Sequence, residues 1–169
     1  MEVPRRSGGR RSAAMSDKPA IKILAENRKA RHNYHFVETF EAGVVLSGPE
    51  VKSARAGKIQ LVDAYGAINN NELWLHNAHI SHYSHATHWS HDPTSVRKLL
   101  VHRHEIDRLI GKTREKGLAL VPTKVYLKNG RVKVEIALAK GKQEHDKRAT
   151  IRKREQEAEA KAAMANRRR

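Results

Sequence analysis

Asn129-Gly130, set between residues 118–128 and 131–138, constrains this chain more than any other feature, because that dipeptide favours the left-handed conformations of a two-residue hairpin turn. The two flanking segments must then pair antiparallel. In the second, Val132, Val134, Ile136 and Leu138 alternate with Arg131, Lys133 and Glu135, the pattern of a strand with one face in a core and one in water. Pro122, which removes a ladder donor from the first, is expected at an edge or a bulge. The alternation stops in AKGKQEHDKR, residues 139–148, and residues 146–169 offer only Ile151 and Met164 as large apolar side chains. That is too few for the apolar stripe by which a helix docks. A folded body over residues 21–140 and a charged arm over residues 141–169 are therefore expected.

Other segments fit the same body. Residues 35–46 suit a strand that bends at Gly43, and Ser47-Gly48-Pro49-Glu50 is a turn into a short helix ending near Gly57. Residues 62–68 and 73–80 flank Asn69-Asn70-Asn71, whose side chains tolerate left-handed turns, so a further hairpin is expected there. Ile106, Leu109 and Ile110 have helical spacing, with Gly111 and Gly117 as stops. Residues 21–32 read as a short basic entry to the body. Five or six strands with two or three short helices predict a mainly β fold, a small closed barrel of the oligonucleotide-binding (OB) type. Residues 1–20 are expected to be a disordered extension; the first fourteen are rich in Arg, Gly and Ser, and Met15-Ser16-Asp17 would itself make a sensible start.

The 169 residues suffice for one domain, and their formal charge of +16, from 34 Lys+Arg against 18 Asp+Glu, points to a polyanionic partner. RNA or DNA ranks ahead of a membrane, since no long apolar or amphipathic basic helix is evident. With no cysteine there are no disulfides and no thiolate metal sites, consistent with a reducing cytoplasm. Arg5, Arg6, Arg10 and Arg11 precede no apolar stretch of the kind a secretory leader carries.

Histidines at 76, 79, 82, 85, 88 and 91 keep a three-residue period, and imidazole is a common ligand of Zn, Cu or Ni. On a strand successive members would face opposite ways, and on a helix each would drift about 60° from the last. No carboxylate or thiolate stands at ligand spacing beside them, so no metal or cofactor is expected and a polar loop is the preferred reading. No nucleophile sits beside a base in a recognisable turn, carboxylates are isolated, and there is no phosphate-cradling glycine loop. A binding protein, not an enzyme, is expected. Within the arm most residues are good helix formers, and Glu157 and Lys161 form a favourable i,i+4 pair. Without a packed face its helix is expected to be conditional, ordering when phosphates neutralise its cations. Fully helical, residues 146–169 would span about 36 Å.

Six segments, NRKARHNYHF from Asn27, ETFEAGVVLSGPEVKSARAGK from Glu38, ELWLHNAHIS from Glu72, HDPTSVRKLLVHRHEIDRLIGKTREKG from His91, KNGRVKVEIALAKGK from Lys128 and HDKR from His145, occur in the order in which the chain resembles the small protein B family. These are SsrA-binding proteins, which partner transfer-messenger RNA in trans-translation, the bacterial rescue of stalled ribosomes. The resemblance spans nearly the whole chain. It implies a closed OB-like barrel with flanking helices that binds the tRNA-like domain as a monomer. It also implies a body surface of Asn27, Arg28, Lys29, Arg31, Glu41, Lys52, Arg55, Lys58, Lys98 and Leu100. In it Lys and Arg would hold phosphates, Glu41 and Asn27 read base or ribose edges, and Leu100 pack on an unstacked base. For Lys52, Arg55 and Lys58, the spacing independently predicts one helix face. The resemblance further implies that the arm enters the empty mRNA channel of the small subunit. His145 would lie near the decoding centre beside Asp146, Lys147 and Arg148, with Ile151, Arg152, Lys153, Arg154 and Met164 further along, and Lys140 and Lys142 at the root. A generic single-strand RNA binder or a ribosomal protein with a basic arm would suit the same charge and barrel.

Overall fold

The computed structural model describes residues 20–85 and 91–166. In chain order the elements are β1 (Ile21–Glu26), α1 (Arg28–Asn33), β2 (Tyr34–Val44), α2 (Gly48–Arg55), β3 (Ile59–Gln60), β4 (Tyr65–Asn69), β5 (Glu72–His76), β6 (His79–Ile80), β7 (Arg97–Leu100), α3 (Arg103–Lys116), β8 (Ala119–Lys128), β9 (Arg131–Gly141) and α4 (Glu144–Asn166). The expectation of a disordered N-terminal extension lies outside the described residues, except at Ala20.

Six strands close on themselves in the order β8-β4-β5-β7-β2-β9, with β9 pairing back to β8 and every pairing antiparallel. The closed β architecture expected from the sequence is present as this ring. Asn129 and Gly130 take φ of 51° and 74° at the β8–β9 turn, and Asn70 and Asn71 take 49° and 58° between β4 and β5, the conformations the two hairpins require. Val132, Val134, Ile136 and Leu138 point into a core with Leu73, Leu75, Leu99, Leu109 and Val125. Pro122 sits at a bulge, where the β8–β9 register shifts before Lys124.

Three expectations are corrected. Residues 21–26 of the basic entry are a strand, paired with β8 from Ile21↔Lys128 to Glu26↔Lys124; a bulge between Ile23 and Ala25 breaks the two-residue period that would have revealed it. Gly111 does not stop α3, which runs on to a left-handed cap at Gly117 (φ 58°); no neighbour crowds the place a Gly111 side chain would take. The outer face of β9 is not solvated throughout. Ala137 and Ala139 are buried with Val121 and Ala30 in a second cluster beneath α1.

For the arm, whose helix was expected to be conditional, the structure gives the helical form. Residues Glu144–Asn166 form one helix of 23 residues, about 35 Å long. Only its first turns touch the body: Asp146, Lys147 and Thr150 are half-buried, and every residue from Ile151 to Ala165 is exposed.

Candidate nucleic-acid interface

At Gly43, β2 leaves β9 for β7: the residue pairs with both Lys133 and Leu100. A side chain there would press on Leu100 at 3.3 Å, so glycine lets the strands meet closely at the corner. The corner leaves Leu100 54 % exposed. A shallow cavity of about 290 Å³ is lined by Leu100, Glu41, Gly43, His102 and Lys133. Its neighbour, about 340 Å³, runs from Leu100 past Val51 to Gly130, Arg131 and Lys133. Leu100 thus stands between an acid and a group of cations, an arrangement able to stack a base while phosphates are held beside it.

Glu41 is the hub of that acid–base group. Its carboxylate accepts from the Tyr126 hydroxyl at 2.6 Å and from Lys128 Nζ at 2.9 Å, with Lys133 Nζ 3.8 Å away. The Tyr126 hydrogen bond first, then the two ammonium groups, outweigh partial burial and hold the carboxyl below the usual value of 4.5. Burial and the same carboxylate push the Tyr126 phenol up, so it remains a donor. Lys128, Arg131 and Lys133 were absent from the expected surface. The signal was there, since Arg131 and Lys133 are outer members of the alternating strand.

Helix α2 reaches this corner from the other side. Arg55 donates to the Gly130 carbonyl at 2.7 Å, which fixes the helix end to the β8–β9 turn, and Lys52 Nζ lies 5.4 Å from the centre of the Tyr83 ring. Lys58 does not share their helix face. Gly57, at φ 75°, ends the turn, and Lys58 stands in the connection to β3. The start of α2 is bolted down by Glu50, whose carboxylate accepts from the Ser47 amide at 2.8 Å and from buried Arg97 at 2.9 Å. Arg97 also donates to the carbonyls of Ala78 at 2.6 Å, Ser95 at 3.0 Å and Pro93 at 3.1 Å, tying the histidine-bearing connection to the same point. Burial would raise the Glu50 pKa, but the Ser47 amide and Arg97 together lower it. Lys98, on β7, pairs with Glu72.

Asn27, Arg28, Lys29 and Arg31 lie apart from the corner. Six positions of β9 separate Lys133 from Ala139, over which α1 packs, about 20 Å along the strand. Asn27 is not available to read a base. It is 3 % exposed, its amide donating to the carbonyls of Leu61 at 2.9 Å and Pro122 at 3.2 Å while its oxygen caps α1 by accepting from the Ala30 amide at 3.1 Å. Arg28, Lys29 and Arg31 are exposed, with Lys29 3.7 Å from Asp63 and Arg31 3.5 Å from Glu26. Weak exposed pairs of this kind exchange readily for phosphate.

Of the arm residues, Lys140 belongs to β9, opposite His35, and Lys142 lies between β9 and α4. His145, Arg148, Ile151, Arg152, Lys153, Arg154 and Met164 are exposed on α4. His76 stacks on Tyr65 at 5.0 Å, His82 and His91 stand 5.4 Å apart, and His91 Nε2 is 3.0 Å from the Ile80 carbonyl oxygen. Among the described residues no three His, Asp or Glu side chains converge as a metal site; His88 lies outside them. Likewise among those residues, no helix is long and apolar enough to cross a membrane.

Ring, corner and projecting helix together define a small antiparallel β-ring protein with a cationic surface. The family model described as SmpB protein matches residues 24–166. The chain belongs to this SmpB family. It is 55 % identical over 136 residues to the SsrA-binding protein of Pelotomaculum thermopropionicum, covering 80 % of this chain and 89 % of that one. It is 59 % identical over 134 residues to the SsrA-binding protein of Desulforudis audaxviator, covering 79 % and 88 %. A chain from a structure described as "tmRNA-SmpB: a journey to the center of the bacterial ribosome" superposes with a TM-score of 0.61 at 44 % identity, covering 76 % of this chain and 94 % of that one.

Proposed function

We propose that this chain is an RNA-binding adaptor that binds the tRNA-like domain of transfer-messenger RNA and delivers it to stalled ribosomes. The reading is carried by one observation, a closed cationic body with an exposed 23-residue helix projecting from it, in a chain of the SmpB family whose relatives are named SsrA-binding proteins. The structural neighbour's description, which joins tmRNA, SmpB and the bacterial ribosome, supports the same partners.

In this reading the body, residues 21–140, holds the RNA elbow. Leu100 packs on an unstacked base beside Glu41, and Arg28, Lys29, Arg31, Lys52, Arg55, Lys58 and Lys98, joined by Lys128, Arg131 and Lys133, hold phosphates. The arm occupies the empty mRNA channel, with His145, Asp146, Lys147 and Arg148 near the decoding centre and Ile151 to Met164 further along. The protein works in the cytoplasm, as a monomer on its RNA, and performs no covalent step; the ribosome transfers the peptide. The test is to recover the protein from cells through an N-terminal tag, leaving Arg169 free, and to sequence the RNA retained in moderate salt. Enrichment of one tRNA-like, messenger-bearing RNA is expected. Mixed single strands or ribosomal RNA without it would overturn the reading.

A further inference from the structure

Two of the six histidines at the three-residue period, His82 and His85, are exposed in the connection between β6 and β7, whereas His76 stacks on Tyr65 and His91 lies against the Ile80 carbonyl. The connection runs beside α2. The Ser81 amide donates to the Lys58 carbonyl at 3.0 Å, so His82 follows directly on a residue bonded to the turn that ends that helix. The return is closed by the Ile80 amide, which donates to the Pro93 carbonyl at 2.9 Å. Tyr83 then lies under the Lys52 ammonium, 5.4 Å from it, with the His85 ring also 5.4 Å away. A cation over a ring keeps its charge, and its N–H groups can still donate to a phosphate. Two exposed cations, Lys52 and Lys58, thus border the start of the connection. The groups that face the two imidazoles offer them no acid. His82 faces the His91 ring at 5.4 Å, and His85 meets Tyr83 and the Ser84 hydroxyl, 3.1 Å from its Nδ1. Asp92, next to His91, accepts from the Thr94 amide at 2.9 Å and hydroxyl at 3.1 Å, and Arg97 is paired with Glu50. Among the described residues the histidine–carboxylate pairs are His35–Asp146 and His145–Asp146. A proton on His82 or His85 therefore adds to the positive field around Lys52.

We propose that the histidine-bearing connection is an RNA-contacting surface that continues the corner past α2: Tyr83 positions Lys52, and the protonated imidazoles of His82 and His85 hold phosphates. This rests on the adaptor reading, in which Lys52 and Lys58 already hold phosphates of the RNA. An imidazole changes charge between about pH 5 and 8, and only the protonated ring brings a charge and two N–H donors to a phosphate. Affinity for RNA therefore rises as pH falls, and binding takes up protons at these two residues.

The test measures affinity of the full chain for a transcript of the tRNA-like domain of transfer-messenger RNA, as a function of salt, at about pH 8 and about pH 5.5. The parent is compared with the double variant His82→Asn, His85→Asn. The two should agree at the higher pH; at the lower, the parent should bind about tenfold more tightly, with a salt slope steeper by about 1.5 units. The remaining histidines are common to both proteins and cancel in the comparison. At the higher pH, Tyr83→Ala should weaken binding about threefold, Tyr83→Phe should restore it, and Tyr83→Ala should add nothing to Lys52→Ala. Both histidines are exposed, and the melting temperature of each variant establishes that the body is folded. Equal pH responses in parent and double variant would overturn the proposal. So would a Tyr83→Ala protein that binds like the parent or loses as much without Lys52. A parent that leaves the transcript unbound at both pH values overturns the adaptor reading and this extension together; binding without the differences overturns the extension alone.

Discussion

Three separate parts of the fold need the Asn27 side chain at once: the loop at Leu61, the bulge at Pro122 and the first turn of α1. Asn27→Ala should remove a cap and orphan two carbonyls, costing about 3 kcal/mol in urea unfolding. Asn27 also shows why residue roles resist reading from a sequence. An Asn beside Arg28 and Lys29 looks like part of a contact surface, and nothing local reveals that Leu61 and Pro122, 34 and 95 residues away, converge on it. The carboxylates are the second residue-scale case. Glu38 accepts from Lys112, its main cause of a lowered pKa, and from Arg108, so its pKa lies below the ordinary 4.5 and α3 is pinned to β2. Glu41 and Glu50 are shifted the same way. A folded-state pKa below the unfolded one stabilises above the unfolded value and is lost as pH falls through the folded one. The melting temperature should therefore drop as pH falls below 4.5, and Glu38→Gln should shrink that drop while lowering the melting temperature at neutral pH.

At the scale of elements, local turn chemistry was the legible part. Asn129-Gly130, the Asn70-Asn71 turn and the Ser47–Glu50 helix start each declare themselves within a few residues. What did not show was what distant partners decide, the pairing of β1 with β8 and the covering of Ala137 and Ala139 by α1; that α3 runs on through Gly111 was not legible either. The β4–β8 seam belongs with these. It is a single pair, Gly66↔Leu120, and a Cβ on residue 66 would lie 2.9 Å from the Leu120 Cβ. Gly66→Ala should force the ring apart there, costing about 2 kcal/mol and speeding amide exchange along β4 before the rest of the ring. The arm makes the opposite case. Ending the chain after Lys142 removes a helix whose outer two-thirds touch nothing, so the body's unfolding free energy should change by under about 0.5 kcal/mol while the far-ultraviolet helix signal falls. Such a truncated protein should still retain its RNA yet fail to support peptide tagging; loss of both would show that body and arm do not act separately.

For the molecule as a whole, the charge of +16 named the kind of partner, and the closed ring decides how that charge is presented. It falls into a corner group around Leu100 and a second group on α1. Arg55 tests the corner. Its guanidinium already donates to Gly130, so Arg55→Ala loosens α2 as well as removing a cation. RNA affinity should weaken, and the salt dependence of binding should lose about one unit of slope if the group also neutralises one phosphate. An unchanged slope would take Arg55 out of the interface. The pairing of β1 with β8 carries a consequence for the order of synthesis. Ile21 emerges first, and its neighbour in the sheet, Lys128, comes more than 100 residues later, so the first strand must wait unpaired while nearly the whole body is made. A chain broken off before Lys128 cannot close its own sheet, which makes this protein's own production intolerant of truncated messages.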